Sequence, residues 1–499
     1  MHDCHRTLIC AETQTKSSTQ IALCTSPLNK LLPTEDNHCN NPQSMEDNNN
    51  EVQKHVAVLA FPFGSHAAPL LSLVNAIAAT APFVKFSFFS TAVSNHSTFS
   101  CSANQVNNIK PYDVPDGLPE GYVVTENPIE PMELFLKATP GNFRSVTEAA
   151  AAEAGSKISC VMSDAFFAFA GKMAKEMDVP WVPFWTAGPH SLLLHVDTEV
   201  IRHTLGYTVR DSHEDKILDF IPGFSAVGVA DLPEGIVFGN LESPFSKMLY
   251  DMGLALPQAT AVAINSFEEL DPVIGNELKS RFQKFLNIGP FPLTLSPPFT
   301  SDEHGCLHWL DMHKTASVAY ISFGRVITLP PHELTAMAEA LEATGIPFLW
   351  SFRGNIEGKL PEGFMERTSS SRGKFVPWAP QMQVLEHRSV GVFVTHCGWN
   401  SVLESIAARV PMICRPVFGD QKLNRRIVES VWGIGVGIEG GVFTKDGAVK
   451  ALELTLLSEQ GKKMREKAEA CFKRPALKAA GPDGSSRENF KTLVELITK

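Results

Sequence analysis

The feature that most restricts the fold is an alternation, run twice, of short β-forming apolar stretches with helix-like stretches. It begins at His55-Val-Ala-Val-Leu-Ala60, turns at Phe61-Pro-Phe-Gly64, continues as a helix-like stretch from about Ala67 to Ala79, and returns to a strand at Val84 to Ser90. The order recurs with a strand at Ile158 to Ser163, a helix over Ala165 to Met177, and strands at Trp181 to Trp185 and Ala261 to Asn265. Such repetition predicts a mostly parallel sheet covered by helices. Gly289-Pro-Phe-Pro-Leu-Thr-Leu-Ser-Pro-Pro298 then interrupts the pattern with the proline density of an inter-domain linker. Beyond it the alternation restarts with Val318 to Phe323, a helix from about Pro331 to Ala343 ended by Gly345, and strands at Phe348, Lys374 to Val376 and Val390 to Thr395.

The expected fold class is therefore α/β, with two facing, doubly wound, Rossmann-like domains. The expected divisions are a disordered extension over 1–50, an α/β domain over 51–290, a linker over 291–304, a second α/β domain over 305–475 and a closing segment over 476–499. In that last segment Phe490, Leu493, Val494 and Ile497 fall at helical spacing, which predicts a helix packing back toward the first domain. Open parallel sheets bind ligands outside the carboxyl ends of their strands, so two of them should frame a shared crevice.

Composition narrows what the crevice can hold. With 44% hydrophobic residues in 499, the chain can bury large cores, and its formal net charge of −11 argues against nucleic acid or an anionic membrane as a partner. The longest apolar region, His55 to Val93, is broken by Pro62, Gly64, His66, Pro69, Pro82 and Lys85, so no membrane insertion is expected. Ten cysteines without CxxC pairs read as reduced thiols in a cytoplasmic protein, with no structural metal. A small-molecule enzyme or binder, expected to be monomeric, is what remains.

The densest run of chemistry-bearing residues lies between 378 and 421. It reads Trp378-Ala379-Pro-Gln381, then Leu385 and His387, then Phe393-Val-Thr-His396-Cys-Gly398-Trp399-Asn400-Ser401, Glu404, Pro411 and Asp420-Gln421. Strand 390–395 leads through a glycine-containing turn into a helix expected to begin near Asn400 or Ser401, and exposed N–H groups at such a helix start favour an anion. His396, Asn400 and Ser401 add side-chain donors at the same place. The alternative is that Ser401 and Glu404 form only a capping box. From about residue 55 to the C-terminus the chain resembles the plant secondary-product UDP-glycosyltransferases, and within them the flavonoid and anthocyanidin 3-O-glucosyltransferases.

The resemblance implies the two-domain GT-B architecture and a UDP-glucose co-substrate with no cofactor and no metal. It further implies that Trp378, with Ala379 beside it, meets the uracil, that Gln381 and Glu404 hold the ribose, that His396, Asn400 and Ser401 meet the phosphates, and that Trp399, Asp420, Gln421 and Thr186 meet the sugar. A flat aromatic for a base and a carboxylate for a diol are suitable partners. His66, after the first strand, and Asp164, after the strand at 158–163, match the family's His–Asp pair. One imidazole nitrogen held by a carboxylate leaves the other to take a proton from an acceptor hydroxyl.

Phe61, Phe63, Phe166, His195 and Phe245 resemble an acceptor-pocket lining, although each also fits a core position. Ile129 and Pro233 stand where flavonol-using relatives can carry hydrogen-bonding side chains. Two positions depart from the pattern. Arg325 replaces the usual Thr or Ser near the donor phosphates, where it would either pair with phosphate or crowd it. Arg409 replaces a glycine before Val410-Pro411, a cost of about 1 kcal/mol if that position requires positive φ. Gly435-Val-Gly437-Ile-Glu-Gly440 satisfies GxGxxG, yet it lies in a β-like run and is read as strand and turn rather than a dinucleotide fingerprint.

The activity implied is inverting transfer of glucose from UDP-glucose to a flavonoid hydroxyl, an anthocyanidin or flavonol 3-OH. The alternatives are a transferase for another phenolic or hormone acceptor, and a non-catalytic binder of nucleotide sugar or flavonoid.

Overall fold

Strand β1 (His55–Leu59) is an uninterrupted buried run, because helices cover both faces of the sheet it centres. A computed structural model describes residues 54–100, 106–123, 130–206, 216–295, 301–324, 328–354, 358–369 and 372–499. The expectations for the extension over 1–50, for Ile129, for Arg325 and for positions 296–300 of the linker lie outside the described residues.

Around β1 the first sheet comprises β2 (Lys85–Ser90), β3 (Ile109–Asp113), β4 (Cys160–Asp164), β5 (Trp181–Trp185), β6 (Val262–Ile264) and β7 (Phe285–Asn287). Its strand order is β3-β2-β1-β4-β5-β6-β7 with parallel pairing throughout. The second sheet comprises β8 (Val318–Ser322), β9 (Phe348–Ser351), β10 (Gly373–Val376), β11 (Val390–Thr395), β12 (Met412–Cys414) and β13 (Gly435–Gly437). Its order is β10-β9-β8-β11-β12-β13, again parallel. The two-sheet α/β fold class is thus the one expected. Each sheet reverses its winding once, between β1 and β4 and between β8 and β11, and open parallel sheets characteristically bind ligands at such points.

One apolar cluster joins the two halves. Trp185, Leu192 and Leu193 of the first belong to the same buried cluster as Trp399, Leu403, Ile406 and Trp432 of the second. Burying each such side chain contributes about 1.5–3 kcal/mol relative to exposure, so the halves are held by core packing as well as by polar contacts. The last helix, Ser485–Thr498, buries Leu493 and Ile497 against the first sheet, and its Asn489 Nδ2 donates to the Asn287 carbonyl at 3.1 Å.

Three local expectations change. The helix expected from Ala165 starts at Ala168, because Asp164 Oδ1 accepts from the Phe166 N–H at 3.0 Å and holds 164–167 in a turn. Strand β3 had no sequence signal: it is an edge strand carrying Pro111, tolerable only where one side of the ladder is unpaired. The helix after β11 runs Trp399–Ala408 with Gly398 as its N-cap, so Ser401 lies inside it and cannot form the capping box. The GxGxxG run is β13 followed by a short 3-10 turn at Glu439–Gly441, as read.

Arg409 ends the Trp399–Ala408 helix in the left-handed region, at φ 59° and ψ 29°. Its exposed guanidinium lies 3.5 Å from Glu469, a pair worth little in water. Arg409→Gly is therefore expected to stabilise the fold by about 1 kcal/mol, read as a higher midpoint in thermal unfolding. A lowered midpoint would show that the Glu469 pair outweighs the backbone strain.

Candidate active site

At the switch point of the first sheet, His66 precedes helix Ala67–Thr80 and Asp164 ends β4. His66 makes no side-chain capping bond to that helix, and its Nδ1 instead lies 2.8 Å from Asp164 Oδ2. Asp164 is almost wholly buried while the imidazole is 19% exposed, so one nitrogen is anchored inside and the ring reaches the cleft. A carboxylate accepting from Nδ1–H fixes the tautomer in which Nε2 carries a lone pair. Thr186 Oγ1, just past β5, lies 3.0 Å from the same Nδ1.

Of the five rings expected to line an acceptor pocket, the four phenylalanines cluster about this pair, while His195 does not reach it. Phe61 and Phe166 stand 5.1 Å and 4.5 Å from the His66 ring, Phe63 packs on Phe61 at 5.4 Å, and Phe245 on Phe166 at 6.1 Å. Phe63, Phe166 and Phe245 are half-buried, whereas Phe61 and His195 are buried. His195 packs on Trp185, at 5.7 Å, and burial lowers its pKa to about 4, so it is neutral at physiological pH. Pro233 is also buried.

Across the cleft the 378–421 residues gather at the switch point of the second sheet. Trp378 is an exposed large aromatic, at 37%, next to buried Ala379. Gln381 is held at both ends of its amide: Oε1 accepts from the Tyr320 hydroxyl at 3.0 Å, and Nε2 donates to Glu404 Oε2 at 2.6 Å and lies 3.5 Å from Ser401 Oγ. Burial pushes the Glu404 carboxyl up to about 7, with the Gln381 bond opposing the shift. The ring of His396 fits between Gly324 and Gly398, where a Cβ would come within 3.0 Å and 2.5 Å of it. Burial lowers the His396 pKa to about 4, and its Nδ1 has no protein partner among the described residues.

Trp399 and Asn400 turn toward the other half. The Trp399 indole N–H donates to the Asn265 carbonyl at 2.8 Å, and Asn400 Oδ1 lies 3.5 Å from Asn265 Nδ2. The Trp399 side-chain donor is therefore committed across the cleft. Gln421 Oε1 accepts from the N–H groups of Val417 and Phe418 at 2.8 Å and 3.2 Å, which directs its other amide end elsewhere. Asp420 Oδ2 accepts from Asn424 Nδ2 at 2.9 Å, and burial pushes the Asp420 carboxyl pKa up, with the Asn424 bond opposing the shift. Arg409 is at the opposite end of the helix that begins at Trp399.

Asn265 and Asn424 were not singled out in the sequence. Asn265 had a weak signal as the polar end of an apolar strand run, and Asn424 as the residue one helical turn after Asp420. Asp231, buried in the first half, also pairs with Arg425 and Arg426 of the second at 3.2 Å and 2.7 Å. Among the described residues no group of three or more His, Cys, Asp or Glu is placed to hold a metal, and no helix is long and apolar enough to cross a membrane.

Two parallel switch points facing each other, one with a buried-carboxylate histidine and one with a donor-rich helix start, define a group-transfer cleft. Residues 58–466 match the model of the UDP-glucoronosyl and UDP-glucosyl transferase family, and the chain belongs to that family. It is 57% identical over 444 residues to a flavonol 3-O-glucosyltransferase, F3GT2, of Actinidia chinensis var. chinensis, covering 89% of this chain and 96% of that one. It is 56% identical over 453 residues to an anthocyanidin 3-O-galactosyltransferase, 3GT1, of Rhododendron delavayi, covering 89% and 97%. A crystal structure of a UDP-glucose: anthocyanidin 3-O-glucosyltransferase in complex with UDP superposes with a TM-score of 0.83 at 44% identity, covering 89% of this chain and 99% of that one.

Proposed function

We propose that this chain is a UDP-glucose-dependent flavonoid 3-O-glucosyltransferase, acting on an anthocyanidin or flavonol 3-hydroxyl with inversion at the anomeric carbon. The observation that carries it is the 2.8 Å His66–Asp164 pair, walled by Phe61 and Phe166. A flat phenolic ring suits those walls, and its hydroxyl would meet His66 Nε2. As the acceptor oxygen bonds to the anomeric carbon, the bond from that carbon to the β-phosphate oxygen breaks, UDP leaves, and the hydroxyl proton passes to Nε2. Asp164 stabilises the imidazolium so formed.

On the donor side, Trp378 and Ala379 would take the uracil, Gln381 and Glu404 the ribose, and Asp420, Gln421 and Thr186 the sugar, with Trp399 meeting it only through its backbone because its indole N–H is held by Asn265. The diphosphate would be met by His396, Asn400, Ser401 and the N–H groups of the Trp399–Ala408 helix start. His396 contributes there as a neutral donor. With charge met in this way, turnover is expected to persist in a chelator, and the enzyme is taken to act as a cytoplasmic monomer. A galactose donor is the second candidate, because relatives of similar identity are named galactosyltransferases. Gln421 favours glucose by resemblance.

The test is initial rates with UDP-glucose and UDP-galactose against a panel of anthocyanidins, flavonols and simple phenols, with chelator present and products identified by mass spectrometry. Hexosylated flavonoid formed faster from UDP-glucose supports the proposal. UDP binding with no product from any acceptor would favour a non-catalytic binder.

The Glu404 carboxyl gives a pH prediction. Ribose hydroxyls donate to a carboxylate, so binding selects the ionised form of a group that titrates near 7 in the free protein. Uridine, which has no titrating phosphate, is expected to bind about tenfold more weakly at about pH 6 than at about pH 8, measured by ligand-observed NMR. In Glu404→Gln the dependence should vanish. An unchanged pH profile in that variant would remove Glu404 as its source.

A further inference from the structure

We propose that Asn424 is a positioning residue for the donor sugar, holding the Asp420 carboxylate toward the cleft; this rests on the reading of Asp420 as a sugar contact. Asp420 is the N-cap of helix Gln421–Arg426, and an aspartate there ordinarily turns its carboxylate onto the free N–H groups of its own helix. Asp420 makes no such capping bond. Its Oδ2 instead accepts from Asn424 Nδ2 at 2.9 Å, across one helical turn. Asn424 is buried, and the second hydrogen of the same nitrogen goes to the Cys397 carbonyl at 3.0 Å.

That second bond removes the amide's freedom to flip, because the flipped amide would set its oxygen against both the Cys397 carbonyl and the Asp420 carboxylate. Cys397 itself sits at φ 64° in the loop between β11 and the Trp399–Ala408 helix. One side chain thus ties the phosphate-side loop to the sugar-side carboxylate. Gly188, from the other half, closes over the pair, and a Cβ there would come within 2.9 Å of Trp399 and 3.4 Å of Asn424 Oδ1. The Asn424 bond opposes the effect of burial, which pushes the Asp420 pKa up, and so favours the ionised acceptor that sugar hydroxyls require.

A double-mutant cycle tests this: kcat and KM for UDP-glucose, with UDP inhibition constants, for wild type, Asp420→Ala, Asn424→Ala and the double variant. Asn424→Ala is expected to lower kcat/KM for UDP-glucose about 10- to 50-fold while changing UDP inhibition less than about threefold, as loss of a charge-assisted bond aimed at the sugar alone requires. Added to Asp420→Ala, it should cost less than about twofold more. Asn424→Ser, which keeps a hydroxyl donor, should recover part of the loss, and it carries the test if the alanine variant fails to fold. Multiplicative losses in the double variant, or UDP weakened as much as UDP-glucose, would overturn the positioning role. Full kcat/KM in Asp420→Ala would remove the sugar-contact reading of Asp420, and this inference with it.

Discussion

His66→Ala is expected to lower kcat by about a hundred- to ten-thousand-fold, the range general base catalysis contributes, while the inhibition constant of UDP stays within about threefold of wild type. The split follows from position. His66 belongs to the first half, where its Nδ1 is spent on Asp164, and only Nε2 is left for the acceptor proton. Nothing in the Gln381–Glu404–Ser401 network depends on it. Asp164→Asn keeps the shape but can offer an N–H to Nδ1, which would place the ring hydrogen on Nε2, the wrong tautomer for a base. Its loss in kcat should therefore approach that of His66→Ala. Steady-state kinetics with product inhibition measure both, and a His66→Ala variant that keeps full turnover while folded would show that the proton goes elsewhere.

The largest expected effect on stability lies behind the donor side. Arg415, the residue after β12, donates through Nε and Nη2 to Glu333, with the Nε bond at 2.9 Å. Glu333 Oε2 also accepts from the Phe443 N–H at 2.9 Å, and Arg415 Nη1 donates to the Pro416 carbonyl at 2.9 Å. Glu333 is fully buried and Arg415 nearly so, which makes the pair costly to break from one side. Arg415→Met should destabilise the fold by about 3–5 kcal/mol by stranding a buried carboxylate, whereas Arg415→Met with Glu333→Leu should recover much of that loss. Denaturant unfolding monitored by fluorescence decides. A single-variant loss below about 1 kcal/mol would show that Glu333 reaches water or takes up a proton at little cost.

Much of this architecture was legible because central parallel strands announce themselves. β1, β5, β8 and β11 are buried on both faces and read as continuous apolar runs, and their spacing by helices gave the two sheets and the place where a crevice must lie. β3 escaped because an edge strand with Pro111 carries no such run. Strand ends placed His66 and Asp164 at one crevice, but it was the resemblance to the family's His–Asp pair that joined them before any geometry was known. The direction of the Trp399 indole could not, because its partner is the Asn265 carbonyl of the other half and no local pattern encodes how two domains meet. Asn424 gave only a weak signal for a related reason: a buried asparagine one turn into a helix has many possible partners, and only the fold brings Cys397 and Asp420 to it.

The most direct test of the central claim is the structure of the product. Purified protein, UDP-glucose and a flavonol bearing several free hydroxyls should be incubated in the presence of a chelator, and the glucoside isolated and examined by two-dimensional NMR. A β-linked glucose on the 3-oxygen is the expected result, because direct attack on an α-linked donor inverts the anomeric carbon and the proposed acceptor is the 3-hydroxyl. An α-linked glucoside, or no glucoside from any flavonoid despite UDP binding, would contradict it.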